Sequence, residues 1–191
     1  MKTLDLLAFD IGASNGRGII GRFDGQRIAL HTVGYFDNNF TQRGALGFWD
    51  YGSILGNIKN VFRKAYAQGF APQAFGIDTW GVDYGLLDGK GELIEDPRAY
   101  RVSTDREMFA AWERISKREL FTITGIAANN FNTIFQLYRR VMEDDAALKA
   151  AHTLLFMPDL LGYSLTGEKK SEYTIASTSG LLEVRSRAFS G

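Results

Sequence analysis

Apolar residues fall in short runs near the start of the chain. Leu4 to Phe9 is one run, Gly18 to Phe23 another, and Arg27 to Phe36 alternates and is rich in β-formers, so each reads as a strand. Gly12-Ala13-Ser14-Asn15-Gly16 separates the first two, and Asp24-Gly25 separates the second from the third. Asn-Gly and Asp-Gly accept positive φ at low steric cost, which predicts a three-stranded antiparallel meander. From Asp50 to Gln68 the period changes: Ile54, Ile58, Val61, Phe62 and Ala65 recur at helical spacing, and Gly69 supplies a stop. Ala74 to Asp78 and Asp83 to Leu87 read as further strands. The turn residues Asp88-Gly89 and Lys90-Gly91 then lead into Glu92 to Ile94. Beyond them the pattern is mostly helical, over Asp105 to Ile115, Lys117 to Thr122, Thr133 to Met142 and Pro158 to Leu165, with Gly125 and Gly167 as stops.

A meander, a crossover helix and a fourth strand able to pair parallel to the first predict an α/β fold with a mixed β-sheet and flanking helices. That order resembles the core of the ribonuclease-H-like, actin-like ATPase domain. With 191 residues, 45% of them hydrophobic, and no repeat, low-complexity tract or evident linker, residues 1–191 read as one domain. The 22 basic and 22 acidic residues balance without like-charge blocks, which argues against nucleic acid or anionic membrane as a partner. Cysteine is absent, and the isolated His31 and His152 cannot build a zinc site. The N-terminus lacks the apolar core and cleavage site of a signal peptide, and no stretch approaches the roughly 20 apolar residues of a membrane span. The expected compartment is the cytoplasm.

Candidate chemistry begins with Phe9-Asp10-Ile11-Gly12-Ala13-Ser14-Asn15-Gly16-Arg17, an apolar strand, a carboxylate, a small-residue turn and a basic residue. Small side chains let backbone N–H groups approach phosphate oxygens, and Arg17 could balance their charge. The Gly-Lys-Ser/Thr ending of a Walker A loop is missing, and a strand follows rather than a helix. Asp10 would hold Mg²⁺, which keeps several waters and takes one or two carboxylates plus phosphate oxygens. An ordinary hairpin with a surface Asp and Arg fits the same residues.

The Asp10 to Arg17 turn resembles the first phosphate motif of the FGGY carbohydrate kinases. Gly76-Ile77-Asp78-Thr79-Trp80-Gly81-Val82-Asp83-Tyr84-Gly85-Leu86-Leu87-Asp88 is similar to the second motif in the rhamnulokinase branch. Tyr100-Arg101, Asn132-Thr133-Ile134-Phe135-Gln136-Leu137, Met157-Pro158-Asp159-Leu160-Leu161 and Glu172-Tyr173-Thr174-Ile175-Ala176-Ser177-Thr178 fall in the family's order. The resemblance implies MgATP-dependent phosphorylation of a ketose, in that branch L-rhamnulose at O1, between two actin-like lobes. It places ATP phosphates at Gly12, Ala13, Ser14, Asn15, Gly16 and Arg17. It places the sugar at Thr79, Trp80 and Gly81, with Asp83 as a further candidate.

Each sugar candidate has a structural alternative: Trp80 as core, Gly81 as a bulge, and Asp83 as an acceptor for backbone at the strand start. Asn132 and Gln136, one helical turn apart, could present amides on one face or sit on a capped, solvated helix. Glu172 reads as a strand-edge charge. Rhamnulokinases typically follow Tyr-Arg with Asp, where this chain has Val102, Ser103 and Thr104, so fuculose, xylulose and glycerol stand as alternative substrates. The family's proton-accepting carboxylate and second lobe are expected beyond Gly191, so the chain alone is expected to lack appreciable kinase activity. An open sheet edge could then favour self-association. The rival class is a non-catalytic sugar-binding or interaction module of the same fold.

Overall fold

The computed structural model describes residues 3–102 and 104–190. The meander is present: β1 (Leu4–Ile11), β2 (Asn15–Phe23) and β3 (Ile28–Asp37) pair antiparallel in succession. A two-stranded ribbon, β4 (Phe40–Arg43) and β5 (Leu46–Trp49), follows where no element was expected. The crossover helix α1 (Tyr51–Ala67) leads to β6 (Ala74–Thr79), which lies parallel to β1 with Leu6 opposite Ala74 and Ile11 opposite Thr79. The sheet order is β3-β2-β1-β6.

After β7 (Tyr84–Leu87) come the helices α2 (Asp105–Ala111), α3 (Lys117–Thr124), α4 (Thr133–Met142) and α5 (Ala146–Ala150). Strand β8 (Thr153–Phe156) precedes α6 (Met157–Thr166) and α7 (Tyr173–Ser177), and the short β9 (Leu182–Glu183) and β10 (Ala188–Phe189) pair antiparallel. No helix among the described residues is long and apolar enough to cross a membrane. The chain divides into two compact units. One comprises the chain up to Phe40 together with Asp50–Trp80, the other Thr41–Trp49 together with the chain from Gly81 onward.

In the first unit the period of two along β1 turns Leu7, Phe9 and Ile11 inward, on the face that also buries Ile20, while α1 buries the stripe Ile54, Ile58, Val61 and Ala65 and sets Phe62 5.3 Å from the Phe9 ring. Asp50 starts that helix by accepting the Ser53 N–H at 3.0 Å. At the other end of the sheet Asp5 accepts Arg22 Nε and Nη2 at 2.7 and 2.8 Å and the Ala71 N–H at 3.0 Å. The Arg22 guanidinium holds the Asp5 carboxyl down to about 2.

In the second unit β7 pairs antiparallel with β8, and Tyr84, Leu86, Phe156, Ala176 and Leu182 form a core cluster. Glu92 to Ile94 is not a strand. The Asp88 carboxylate accepts the Lys90 and Glu92 N–H groups in a turn, after which the Ile94 N–H bonds the Leu86 carbonyl at 2.9 Å in an isolated Leu87–Leu93 bridge. Helix α2 stops at Ala111 rather than Ile115 because Trp112 and Arg114 tighten onto Phe109 and Ala111 through i→i+3 bonds. Arg140, 2% exposed, binds Glu95 at 2.7 Å, Asp145 at 3.0 Å and the Tyr84 hydroxyl at 3.0 Å, tying α4 to β7. Burial pushes the Tyr84 phenol up to about 12.

Candidate functional site

The first candidate lies at the C-terminal ends of β1 and β6, the end of a parallel strand pair where α/β folds hold ligands. β1 gives way to β2 through a tight turn closed by the Gly12 N–H on the Asn15 carbonyl at 2.8 Å, with Ala13 and Ser14 at its tip. Gly16 is small for a packing reason: a Cβ there would stand 2.4 Å from the Phe36 ring. Asp10 and Arg17 are register partners across β1 and β2, and Arg17 Nη2 and Nε reach one Asp10 oxygen at 2.8 and 2.9 Å. Both side chains are about half exposed, at 51% and 47%, so water and ions reach the pair.

Asp78, not singled out from sequence, stands opposite Asp10 in the parallel register, on the same face of the sheet. Among the described residues no three His, Cys, Asp or Glu side chains cluster as a metal cage. A strand-end carboxylate open to water beside a small-residue turn nevertheless fits the sparse protein ligation that Mg²⁺ requires. Asn38, also missed from sequence, donates its Nδ2–H to the Gly12 carbonyl at 2.9 Å and its main-chain N–H to the Ser14 carbonyl at 2.9 Å. No local motif announces it, because its partners are 24 and 26 positions upstream in another element.

At the end of β6 the Thr79 hydroxyl donates to the Trp80 carbonyl at 2.9 Å, and Trp80 is partly buried. In the second unit, a Cβ on Gly81 would stand 2.9 Å from Thr178 Oγ1, so the close approach that this glycine permits is to Thr178. Val82 has φ 68°, and the Asp83 N–H bonds the Gly81 carbonyl at 2.9 Å across it. This is a γ-turn of the rare, strained hand, built on a β-branched residue.

Side chains from two distant elements hold that turn. The Val82 N–H donates to Thr178 Oγ1 at 3.1 Å, and its carbonyl accepts Thr133 Oγ1 at 2.6 Å and Gln136 Nε2 at 3.3 Å. Asn132 Nδ2 holds the Thr178 carbonyl at 2.9 Å. The segments 132–137 and 172–178, separate motifs in the sequence, converge here. Gln136 therefore uses its amide on the turn and Asn132 uses its own on Thr178 and the Asn129 N–H, rather than on solvent.

Asp83 is 1% exposed, and its carboxylate accepts Trp49 Nε1 at 2.6 Å, the Tyr100 N–H at 3.1 Å and Gln136 Nε2 at 3.1 Å. This geometry fits the structural alternative for Asp83, enlarged from one strand start to three elements. Glu172 is not a strand-edge charge: it caps α7 by accepting the Ile175 N–H at 3.0 Å. Its own N–H reaches the two Asp159 oxygens at 3.2 and 3.3 Å. Burial, opposed by that N–H and aided by the Glu172 charge, pushes the Asp159 carboxyl up to about 6.

Residues 6–191 match the N-terminal domain of the FGGY family of carbohydrate kinases. The rhamnulokinase of Bacteroides thetaiotaomicron is 39% identical over 184 residues, 96% of this chain and 38% of that protein. The rhamnulokinase of Bacillus subtilis is 37% identical over 178 residues, 93% of this chain and 36% of its own. The chain thus spans well under half the length of the curated relatives it matches. Among solved structures, a xylulose kinase from Rhodospirillum rubrum superposes with a TM-score of 0.83 at 16% identity, over 97% of this chain and 39% of that one. Plasmodium falciparum glycerol kinase with ADP gives 0.79 at 12% identity, over 99% and 40%. At such identities the superpositions speak for the fold, which is the ribonuclease-H-like, actin-like one expected from the strand order. The chain belongs to the FGGY family of carbohydrate kinases, its residues 6–191 matching that family's N-terminal domain.

Proposed function

We propose that this chain forms the N-terminal domain of an ATP-dependent kinase for a ketose, L-rhamnulose at O1, working in the cytoplasm. The observation that carries the reading is the small-residue turn at the end of β1, flanked by the water-accessible Asp10–Arg17 pair. In-line phosphoryl transfer depends on positioning and on neutralising phosphate charge. The turn from Gly12 to Gly16 would face the phosphates, and Arg17 would exchange part of its bond to Asp10 for a phosphate oxygen. Asp10 would hold Mg²⁺ through water, and the ion would supply charge neutralisation and orientation of the phosphate oxygens. Thr79, Trp80 and Gly81 would receive the sugar, Trp80 offering an apolar face to its C–H groups. Asp83 would act indirectly, by fixing Trp49, Tyr100 and Gln136.

The preference for L-rhamnulose is supported by the identity to rhamnulokinases, whereas Val102 and Thr104 depart from the pattern typical of that branch. We assign no proton-accepting carboxylate among these residues and expect the 191-residue polypeptide to release no ADP in a sugar-dependent way. The test is a tryptophan-fluorescence titration of the chain and of Trp80→Phe with L-rhamnulose, L-fuculose, D-xylulose and glycerol, beside an ADP-release assay. L-rhamnulose should quench the wild type at the lowest concentration and leave Trp80→Phe unchanged, with ADP release at the blank level. Tighter binding of another of these ligands reassigns the substrate. ADP release well above the blank overturns the expected inactivity.

A further inference from the structure

We propose that Asn38 is the positioning residue of the turn at Gly12–Asn15, orienting its peptide planes for phosphate; the inference rests on the phosphate reading given above. A turn that binds an anion must present N–H groups and turn its carbonyl dipoles elsewhere. Three of its carbonyls are engaged on the protein side. Gly12 C=O accepts Asn38 Nδ2, Ser14 C=O accepts the Asn38 N–H, and Asn15 C=O accepts the Gly12 N–H. Peptide units are planar and trans, so a carbonyl and the following N–H point in opposite directions. Fixing the Gly12 and Ser14 carbonyls on Asn38 therefore aims the Ala13 and Asn15 N–H groups away from it.

Two further observations support the assignment. Asn38 is 4% exposed and its Oδ1 has no hydrogen-bond partner, so the buried amide is unfavourable on its acceptor side and is used through its donor. On the Asn38 side of the turn lies a cleft of about 370 Å³ lined by Asp37, Asn38, Asn39, Asp50 and Asn57 among others, whose two carboxylates disfavour an anion. Phosphate is thereby left the opposite side, toward which the Ala13 and Asn15 N–H groups are aimed.

The test uses the ¹⁵N-labelled chain and two variants. Asn38→Leu nearly keeps the volume and removes the donor without adding a charge, and Asn38→Ser shortens the side chain should the first fail to fold. Amide hydrogen exchange is read without ligand at Gly12 and at residue 38, whose N–H groups are bonded to the Asn15 and Ser14 carbonyls, and the Kd for magnesium tripolyphosphate is read from the shifts of the Ala13 and Asn15 amides. The expected result in the variants is exchange about tenfold faster at the turn and binding about tenfold weaker, with exchange at Leu7 and Ile20 unchanged. Unchanged turn exchange and unchanged Kd would overturn the role of Asn38, as would a loss of protection spread equally to Leu7 and Ile20. A wild type whose turn amides ignore tripolyphosphate overturns the phosphate reading itself, and with it the purpose assigned to Asn38.

Discussion

Two tight turns carry the candidate chemistry, and they are stabilised in opposite ways. The Gly12–Asn15 turn is closed by a main-chain bond across four residues, is seated on the single residue Asn38 and is flanked by a half-exposed ion pair. The Val82 turn places a β-branched residue at φ 68° and is held by side chains 51 to 96 positions away in sequence. A β-branched residue at positive φ persists only where its surroundings over-determine it, at a strain of about 1–3 kcal/mol. The first turn is open and suits a ligand that comes and goes. The second is buried and suits a geometry that must not move. Substitutions should therefore act on binding at the first and on stability at the second.

The sharpest way to break that contrast is Thr133→Val. Thr133 is fully buried, and valine keeps its shape while withdrawing the 2.6 Å bond, leaving the Val82 carbonyl with the 3.3 Å contact from Gln136. The expected loss is about 2 kcal/mol, read as a lower urea midpoint at constant slope. A loss under about 0.5 kcal/mol would mean that the hydroxyl does not hold the strained turn. Val82→Gly tests the strain directly. Relief of about 1–3 kcal/mol opposes the lost burial of a valine, about 1.5–3 kcal/mol, and the added backbone entropy of glycine, so the net loss should be near 1 kcal/mol. Val61→Gly, at a buried and unstrained position on α1, has no such relief and should lose about 3 kcal/mol or more.

The two turns also differ in how far the sequence announces them. β1 to β3, α1 and β6 were legible because their signals are local: alternation, Asp-Gly, a helical stripe and the Asp50 cap. Helix α4 begins and ends where its periodicity places it. The four-residue strands β4, β5 and β8 were not legible, since so short a run cannot be told from loop or helix by its period, whereas the equally short β7 was marked by the turn residues Asp88-Gly89 that follow it. Val82 carries no local mark of positive φ, a conformation usually announced by glycine or asparagine. Its cause lies in Thr133, Gln136 and Thr178, which only the tertiary fold brings to it. The same holds for Asn38, whereas Asp10, Arg17 and the small residues between them could be read directly as a candidate set.

A smaller effect on the second turn should come through pH. Thr178, which accepts the Val82 N–H, follows α7, and the N-cap of that helix, Glu172, is seated on Asp159 through its N–H. The Asp159 carboxyl is raised from 3.8 to about 6, first by burial, so the native state binds more protons than the unfolded one between those values. Its contribution is fully present below about pH 4 and is lost as pH rises through about 6. At this partly exposed group, screening by water leaves roughly 1 kcal/mol of the shift as stability. Asp159→Asn can still accept the Glu172 N–H. It should stabilise the chain by about that amount at pH 7 and change nothing at pH 4, and an effect of equal size at both values would refute the titration account.

At the first turn the expected stability changes are smaller still. Arg17→Met and Asp10→Asn remove one partner of a half-exposed pair, which should alter stability by under about 0.5 kcal/mol. Binding should separate the two sharply. Arg17→Met withdraws a positive charge and should weaken magnesium tripolyphosphate by about tenfold, with a shallower dependence on salt. Asp10→Asn should act with opposite signs in two conditions. Without Mg²⁺ it removes a negative charge beside the turn and leaves Arg17 to the anion, so tripolyphosphate should bind more tightly than to the wild type. With Mg²⁺ it removes the carboxylate proposed to hold the ion, so binding should be weaker. A change of the same sign in both conditions would make Asp10 merely the ion-pair partner of Arg17, and the first turn would then resemble the second in serving structure alone.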